Sequence, residues 1–141
     1  MIDIIIPIYN VDLKQLKKCL LSIVSQTIVE ELEVTIVDDG SSSSSEEEIY
    51  HLINKIQQFI PIKLLRYEKN HGPGYARQYG INNTSNEYIM FIDADDMFTP
   101  VAAETLKRGF LLYPDKAISM GKFYSLDTET MITEEQDIQL S

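Results

Sequence analysis

Asp93, Asp95 and Asp96 follow directly on Tyr88 to Ile92, an apolar run rich in β-branched and aromatic residues. Three like charges so close together repel one another, and the arrangement calls for a positive group among them. In an extended segment side chains alternate, so Asp93 and Asp95 lean to the same side and can share one divalent cation. Mg²⁺ or Mn²⁺ prefers such oxygen ligands and keeps its remaining positions for water and substrate phosphate. The competing reading is a polar loop whose Asp96 caps a helix beginning near Pro100. The run before the carboxylates reads as a central parallel strand covered on both faces.

Other chemistry-bearing residues fall at the ends of similar runs. Ile2 to Ile6 reads as a first buried strand that leaves its sheet at Pro7, with Tyr9 and Asn10 in the loop beyond. Asp12 precedes an apolar stripe at helical spacing, Leu13, Leu16, Leu20, Ile23 and Val24, and is a plausible N-cap. Val34 to Val37 forms a second strand that ends in Asp38, Asp39 and Gly40. Ser41 to Ser45 is compositionally simple, but Glu46, Glu47 and Glu48 after it match a capped helix start with acids in the first turn. Ile62 to Tyr67 is a third strand, and His71-Gly72-Pro73-Gly74 turns into a short helix carrying Arg77. A helix from about Pro100 to Tyr113 follows the acidic stretch. Ala117 to Tyr124 gives a fifth strand that hairpins through Asp127 and Thr128 onto Met131 and Ile132.

Alternation of strand and helix predicts a largely parallel sheet with helices on both faces, an α/β Rossmann-like fold in three layers. Ligands of such folds sit beyond the carboxyl ends of the strands, and here aromatic and acidic groups share that rim. Tyr9 offers a flat face for a base, or folds back on the core as a loop aromatic. Asp39 can accept from a base ring N–H or a ribose hydroxyl, or bond its own turn before Gly40. Asp38 suits the turn role better. Arg77 can hold a base carbonyl or a phosphate oxygen, or remain a solvated helix charge. His71 can meet a diphosphate, or stand in water.

The chain has 141 residues, 44% of them apolar, which suits one globular domain. Its 12 basic and 22 acidic residues give a net charge of −10 and argue against a sequence-independent nucleic-acid binder. Its one cysteine, Cys19, forms no internal disulfide and falls on the buried side of the first helix. No apolar run has the length of a membrane span, and the expected location is the cytoplasm, with peripheral association at the inner face of the membrane left open.

Five segments in order carry a resemblance: Ile5-Ile6-Pro7-Ile8-Tyr9-Asn10, Ser25-Gln26-Thr27, Val37-Asp38-Asp39-Gly40-Ser41, Asn70 to Gln78, and Phe91-Ile92-Asp93-Ala94-Asp95-Asp96. Over about residues 2 to 125 the sequence resembles the family 2 glycosyltransferases of the GT-A fold. The resemblance implies a nucleotide-sugar donor, most often UDP-linked, bound with Mn²⁺ or Mg²⁺, and inverting transfer to a glycan, lipid-linked or other hydroxyl acceptor. Carried over by position, Pro7 and Tyr9 would line the base and Asp39 would bond the uracil ring nitrogen. Arg77 would meet the base or diphosphate, Asp93 the ribose or a metal-bound water, and Asp95 the metal.

Two departures stand out. The family's acidic residue shortly after the Asp-Gly-Ser is replaced by Ser42 to Ser45, so the second helix must be capped differently. An inverting transferase also needs a general base facing the acceptor hydroxyl. In the family that carboxylate lies beyond the fifth strand, so the base is expected beyond the chain end and the chain is read as the donor-binding part. Alternatives from other classes are a nucleotide-binding module without turnover and a receiver-type phosphoacceptor domain. The second is disfavoured because its acidic pair belongs after the first strand. A nucleotidyltransferase is disfavoured because no Gly-rich phosphate loop follows strand one. The oligomeric state is left open.

Overall fold

The computed structural model describes residues 1–116 and the strands Phe123–Leu126 and Thr133–Gln136. They fall in two units, Met1–Val101 and Ala102–Ser141.

In the first unit, β1 (Ile2–Ile8), β2 (Leu32–Asp39), β3 (Ile62–Tyr67) and β4 (Tyr88–Phe91) form a parallel sheet in the order β3-β2-β1-β4. Period-two alternation decides what each face carries. Ile5 and Val37 pack with Ala76 and the flanking Leu65, Tyr67, Tyr79 and Ile89 on the face covered by α3 (Pro73–Asn82). The alternate residues Ile4, Ile6, Val34 and Ile36 are buried as well, so the other face is also covered. The helices α1 (Leu13–Val24) and α2 (Glu46–Ile56) pack on each other and carry the matching stripes. These are Leu16, Cys19, Leu20 and Ile23 on α1, and Ile49, Ile53 and Ile56 on α2. Asp12 caps α1 by accepting from the Lys14 and Gln15 amides, as its position before the stripe predicts.

Three sequence expectations need correction. Pro7 does not end β1, which continues to Ile8 opposite Asp38. The Ile5 carbonyl accepts from the Ile92 amide, so odd residues of β1 direct their backbone groups toward β4. Pairing with β4 stops at Ile5 and Phe91, and the N–H that Pro7 lacks would have pointed where no strand remains. Strand β4 is also not central: within the described sheet it stands at one end, and Phe91 is 45% exposed. Finally, Ser45 at the N-cap of α2 makes no side-chain capping bond, and the helix is entered through a 3₁₀ turn at Ser43–Ser45.

In the second unit, α4 spans Ala102–Leu112, with Pro100 two residues ahead of it. The strands β5 (Phe123–Leu126) and β6 (Thr133–Gln136) pair antiparallel, with Phe123 opposite Gln136. Ala117 to Lys122, Asp127, Thr128, Met131 and Ile132 lie outside the described residues.

Gly80 lets α3 lie close on the sheet, since a Cβ there would stand 2.7 Å from Ile5 Cγ2 and 3.3 Å from Val37 Cγ2. Alanine in a helix interior ordinarily gains about 1 kcal/mol over glycine. Here the clash with a fully buried, β-branched Ile5 dominates, and Gly80→Ala should destabilise the fold by about 1–3 kcal/mol in urea melts.

Candidate functional site

Asp38 and Asp39 are neighbours on one strand, so their carboxylates leave the sheet on opposite faces. Asp38 Oδ1 accepts from the Ser41 amide at 2.9 Å, closing the turn at Gly40. Arg66 on β3 lies on the same face, with Nε 3.8 Å from Asp38 Oδ2, Nη1 2.8 Å from Glu46 Oε2, and Nη2 donating to the Ser41 carbonyl. Glu46 thus ties the start of α2 to the strand ends, in the absence of an acid closer to Gly40.

Asp39 is only 2% exposed, and the chain itself fills its acceptor positions. Oδ1 accepts from the Tyr67 hydroxyl at 2.5 Å and the His71 amide at 2.9 Å. Oδ2 accepts from Asn70 Nδ2 and the Gly72 amide, each at 2.9 Å. A carboxylate offers about four lone-pair positions, so Asp39 is saturated. Burial, followed by the bond to Asp39 and its charge, holds the Tyr67 phenol well above its usual pKa, so it stays a donor. Gly40, at φ 76°, admits the approaching Asn70 backbone, because a Cβ there would lie 2.6 Å from Asn70 N.

Asn10 locks the loop after β1 to the loop after β2. Its amide donates to Ser41 Oγ at 2.8 Å, and its Oδ1 accepts from the Ser42 amide at 3.0 Å. The exchange holds Asn10 at φ 48°, a left-handed conformation asparagine tolerates. Tyr9 beside it is 54% exposed at the mouth of the rim, and Pro7 is half-buried.

The acidic stretch is a turn and not an extended segment, since the Asp96 amide donates to the Asp93 carbonyl at 3.0 Å. The turn gathers three carboxylates where alternation predicts two, and one oxygen from each of Asp93, Asp95 and Asp96 lies within 4.8 Å of the others. Asp96 therefore joins the cluster, and α4 begins six residues later at Ala102. Burial and the charges of Asp95 and Asp93 raise the Asp96 pKa. Arg77 Nη2 lies 2.8 Å from Asp93 Oδ1, so the structure pairs two residues whose roles the sequence treats separately. With both side chains substantially exposed, this pair contributes little to stability. His71 sits against Tyr75, with ring centroids 4.3 Å apart, and not alone in water.

Tyr67, Asn10, Ser41 and Asn70 were not singled out as functional in the sequence. Asn10, Ser41 and Asn70 do lie inside the segments that carry the resemblance, whereas nothing marks Tyr67 beyond its place at a strand end.

A parallel sheet flanked by helices, with an aromatic side chain, carboxylates and an arginine at its carboxyl rim, is an α/β arrangement whose candidate ligand site lies beyond the strand ends. Glycosyl transferase family 2 matches residues 3–133, and the chain belongs to that family. It is 36% identical over 132 residues to Glycosyltransferase GlyA of Streptococcus pneumoniae, covering 89% of this chain and 17% of that protein. Poly(ribitol-phosphate) beta-glucosyltransferase of Bacillus spizizenii is 32% identical over 129 residues, covering 89% and 19%. The crystal structure of S. aureus TarS in complex with UDP-GlcNAc superposes with a TM-score of 0.63 at 28% identity, covering 81% of this chain and 31% of that one. The fold is therefore GT-A. The chain spans less than half the length of each of these proteins.

Replacing Asp39 by asparagine turns an acceptor into an amide facing donors. Asp39→Asn should lower stability by about 1–3 kcal/mol, seen as a lower urea midpoint at unchanged slope.

Proposed function

We propose that this chain is the donor-binding part of a metal-dependent, inverting glycosyltransferase that takes a UDP-sugar. The observation that carries the proposal is the convergence of Asp93, Asp95 and Asp96 beside Arg77 on the strand-end rim. The likeness to a structure holding UDP-GlcNAc supports the choice of donor. Three hard oxygen donors fit Mn²⁺ or Mg²⁺, with Asp95 as principal ligand and Asp93 beside it. Bound there, such a cation supplies Lewis-acid neutralisation of the charge that grows on the departing diphosphate.

The remaining work falls to the chain's own groups. Tyr9 presents its exposed ring for base stacking, and Pro7 lines the floor beside it. Asp39 shapes the base edge; it accepts a ring N–H by exchanging one of its side-chain donors, Tyr67 or Asn70. Arg77 turns from Asp93 toward the diphosphate, where a fixed cation offsets negative charge. No group of this chain is assigned as the base that activates the acceptor hydroxyl. In the same proposal the protein works in the cytoplasm on a glycan, lipid-linked or other hydroxyl acceptor, at the inner membrane face where the acceptor is lipid-linked.

Calorimetric titration with UDP, with and without Mn²⁺ and against GDP, tests the assignment. Metal-dependent binding that favours UDP is expected, and Asp95→Ala should remove the metal-dependent part. Tyr9→Ala should weaken binding with or without metal by roughly 5- to 100-fold, the range for loss of base–aromatic stacking. Equal losses from both variants in metal-free buffer would contradict the assigned roles.

A further inference from the structure

The segment Ser25-Gln26-Thr27 belongs to the resemblance yet takes no part in the site described so far. Gln26 is 3% exposed, a buried amide at the end of α1. Its Nε2 donates to the Thr99 carbonyl at 2.7 Å and to the Ser22 carbonyl at 3.0 Å. Ser22, one turn earlier, accepts from the Phe98 amide at 3.1 Å and donates to the Cys19 carbonyl at 2.6 Å. The Thr27 amide donates to the Pro100 carbonyl at 3.0 Å. One turn before Ser22, Cys19 Sγ lies 3.8 Å from the Asp93 carbonyl. Burial and the charges of Asp96, Asp95 and Asp93 push that thiol up to about 12, so it remains a neutral donor.

Cys19 and Ser22 stand at i, i+3 on one face of α1, and Gln26 follows directly after its C-cap Ser25. The partners of these residues and of Thr27 are successive: Asp93, then Phe98, Thr99 and Pro100. The stretch from Asp93 to Pro100 is neither helix nor strand. It carries three mutually repelling carboxylates and receives these bonds from α1 in place of a strand ladder.

We propose that Gln26 and Ser22 are positioning residues for the acidic turn, holding Asp93, Asp95 and Asp96 convergent for a divalent cation without touching it. The proposal rests on the metal reading of that turn given above. A donor set ordered during folding does not have to be ordered again when the cation arrives, so affinity rises without any new ligand. Removal of a supporting hydrogen bond behind metal ligands typically lowers metal affinity by about 10- to 100-fold. Gln26 acts through Thr99, three residues beyond Asp96, which puts its expected effect near the lower figure.

The test is Mn²⁺ titration of the chain followed by electron paramagnetic resonance, with no nucleotide present. Gln26→Met keeps the side chain's length and deletes its donors; Ser22→Ala removes the acceptor for Phe98 and serves if Gln26→Met does not fold. Ile53→Val, in the buried face of α2, supplies a comparable loss of stability remote from the turn. Gln26→Met should bind Mn²⁺ roughly 10-fold more weakly, with a broadened bound-state spectrum from heterogeneous ligand geometry. Ser22→Ala should show a smaller loss in the same direction, and Ile53→Val neither change. Wild-type affinity and line shape in Gln26→Met, or in Ser22→Ala where that variant stands in, overturn the proposal alone, as does an equal loss in Ile53→Val. A wild-type chain that takes up no Mn²⁺, or an Asp95→Ala chain that binds it as well as wild type, overturns the metal reading and this inference with it.

Discussion

Electrostatic repulsion at one rim is the constraint around which this structure is arranged. Asp38, Asp39, Asp93, Asp95 and Asp96 all lie at or just beyond the carboxyl ends of two strands, in a chain of net charge −10. Each is handled differently. Asp38 lies near a guanidinium shared with Glu46, Asp39 accepts four hydrogen bonds, and Asp93 pairs with Arg77. Asp95 and Asp96 crowd against Asp93 in one cluster, where a cation would relieve the most repulsion.

What the sequence made legible follows from range. Strand and helix identity are local matters of period, so β3 and the cap of α1 read directly from Ile62 to Tyr67 and from Asp12. The Rossmann-like parallel sheet follows from alternation. Pro7 departs from the sequence expectation because its effect depends on where a strand distant in the chain stops pairing, which the register of Ile5 with Phe91 decides. The acidic turn departs from the sequence expectation for a related reason: alternation holds only in an extended chain, and beyond Ile92 one backbone bond from Asp96 to Asp93 makes a turn instead.

The candidate site was legible as a set of residues and not as a set of bonds. Arg77, Asp93 and Asp95 come together at the end of β4, but the Arg77 to Asp93 pair requires knowing how α3 lies against β4. The saturation of Asp39 depends on donors 28 to 33 residues away, and the hold of Gln26 on Thr99 spans 73. No local pattern marks a glutamine at a helix end as a support for carboxylates on another element. The second helix shows the same principle in reverse, since Arg66 and Glu46 take over where the expected acid after Gly40 is missing.

The position of Asp39 bears on the field that α3 presents. A helix N-terminus carries about half a positive elementary charge, and its free amides ordinarily welcome a phosphate. Here the amides of His71 and Gly72, the approach to that terminus, already point at a buried carboxylate, and Pro73 has no N–H to offer. The carboxylate of Asp39 thus stands at the positive end of α3 and offsets part of its field. A diphosphate bound as proposed would meet a helix field already reduced by a buried anion, and more of its charge would fall to the guanidinium of Arg77 and a cation drawn from solution.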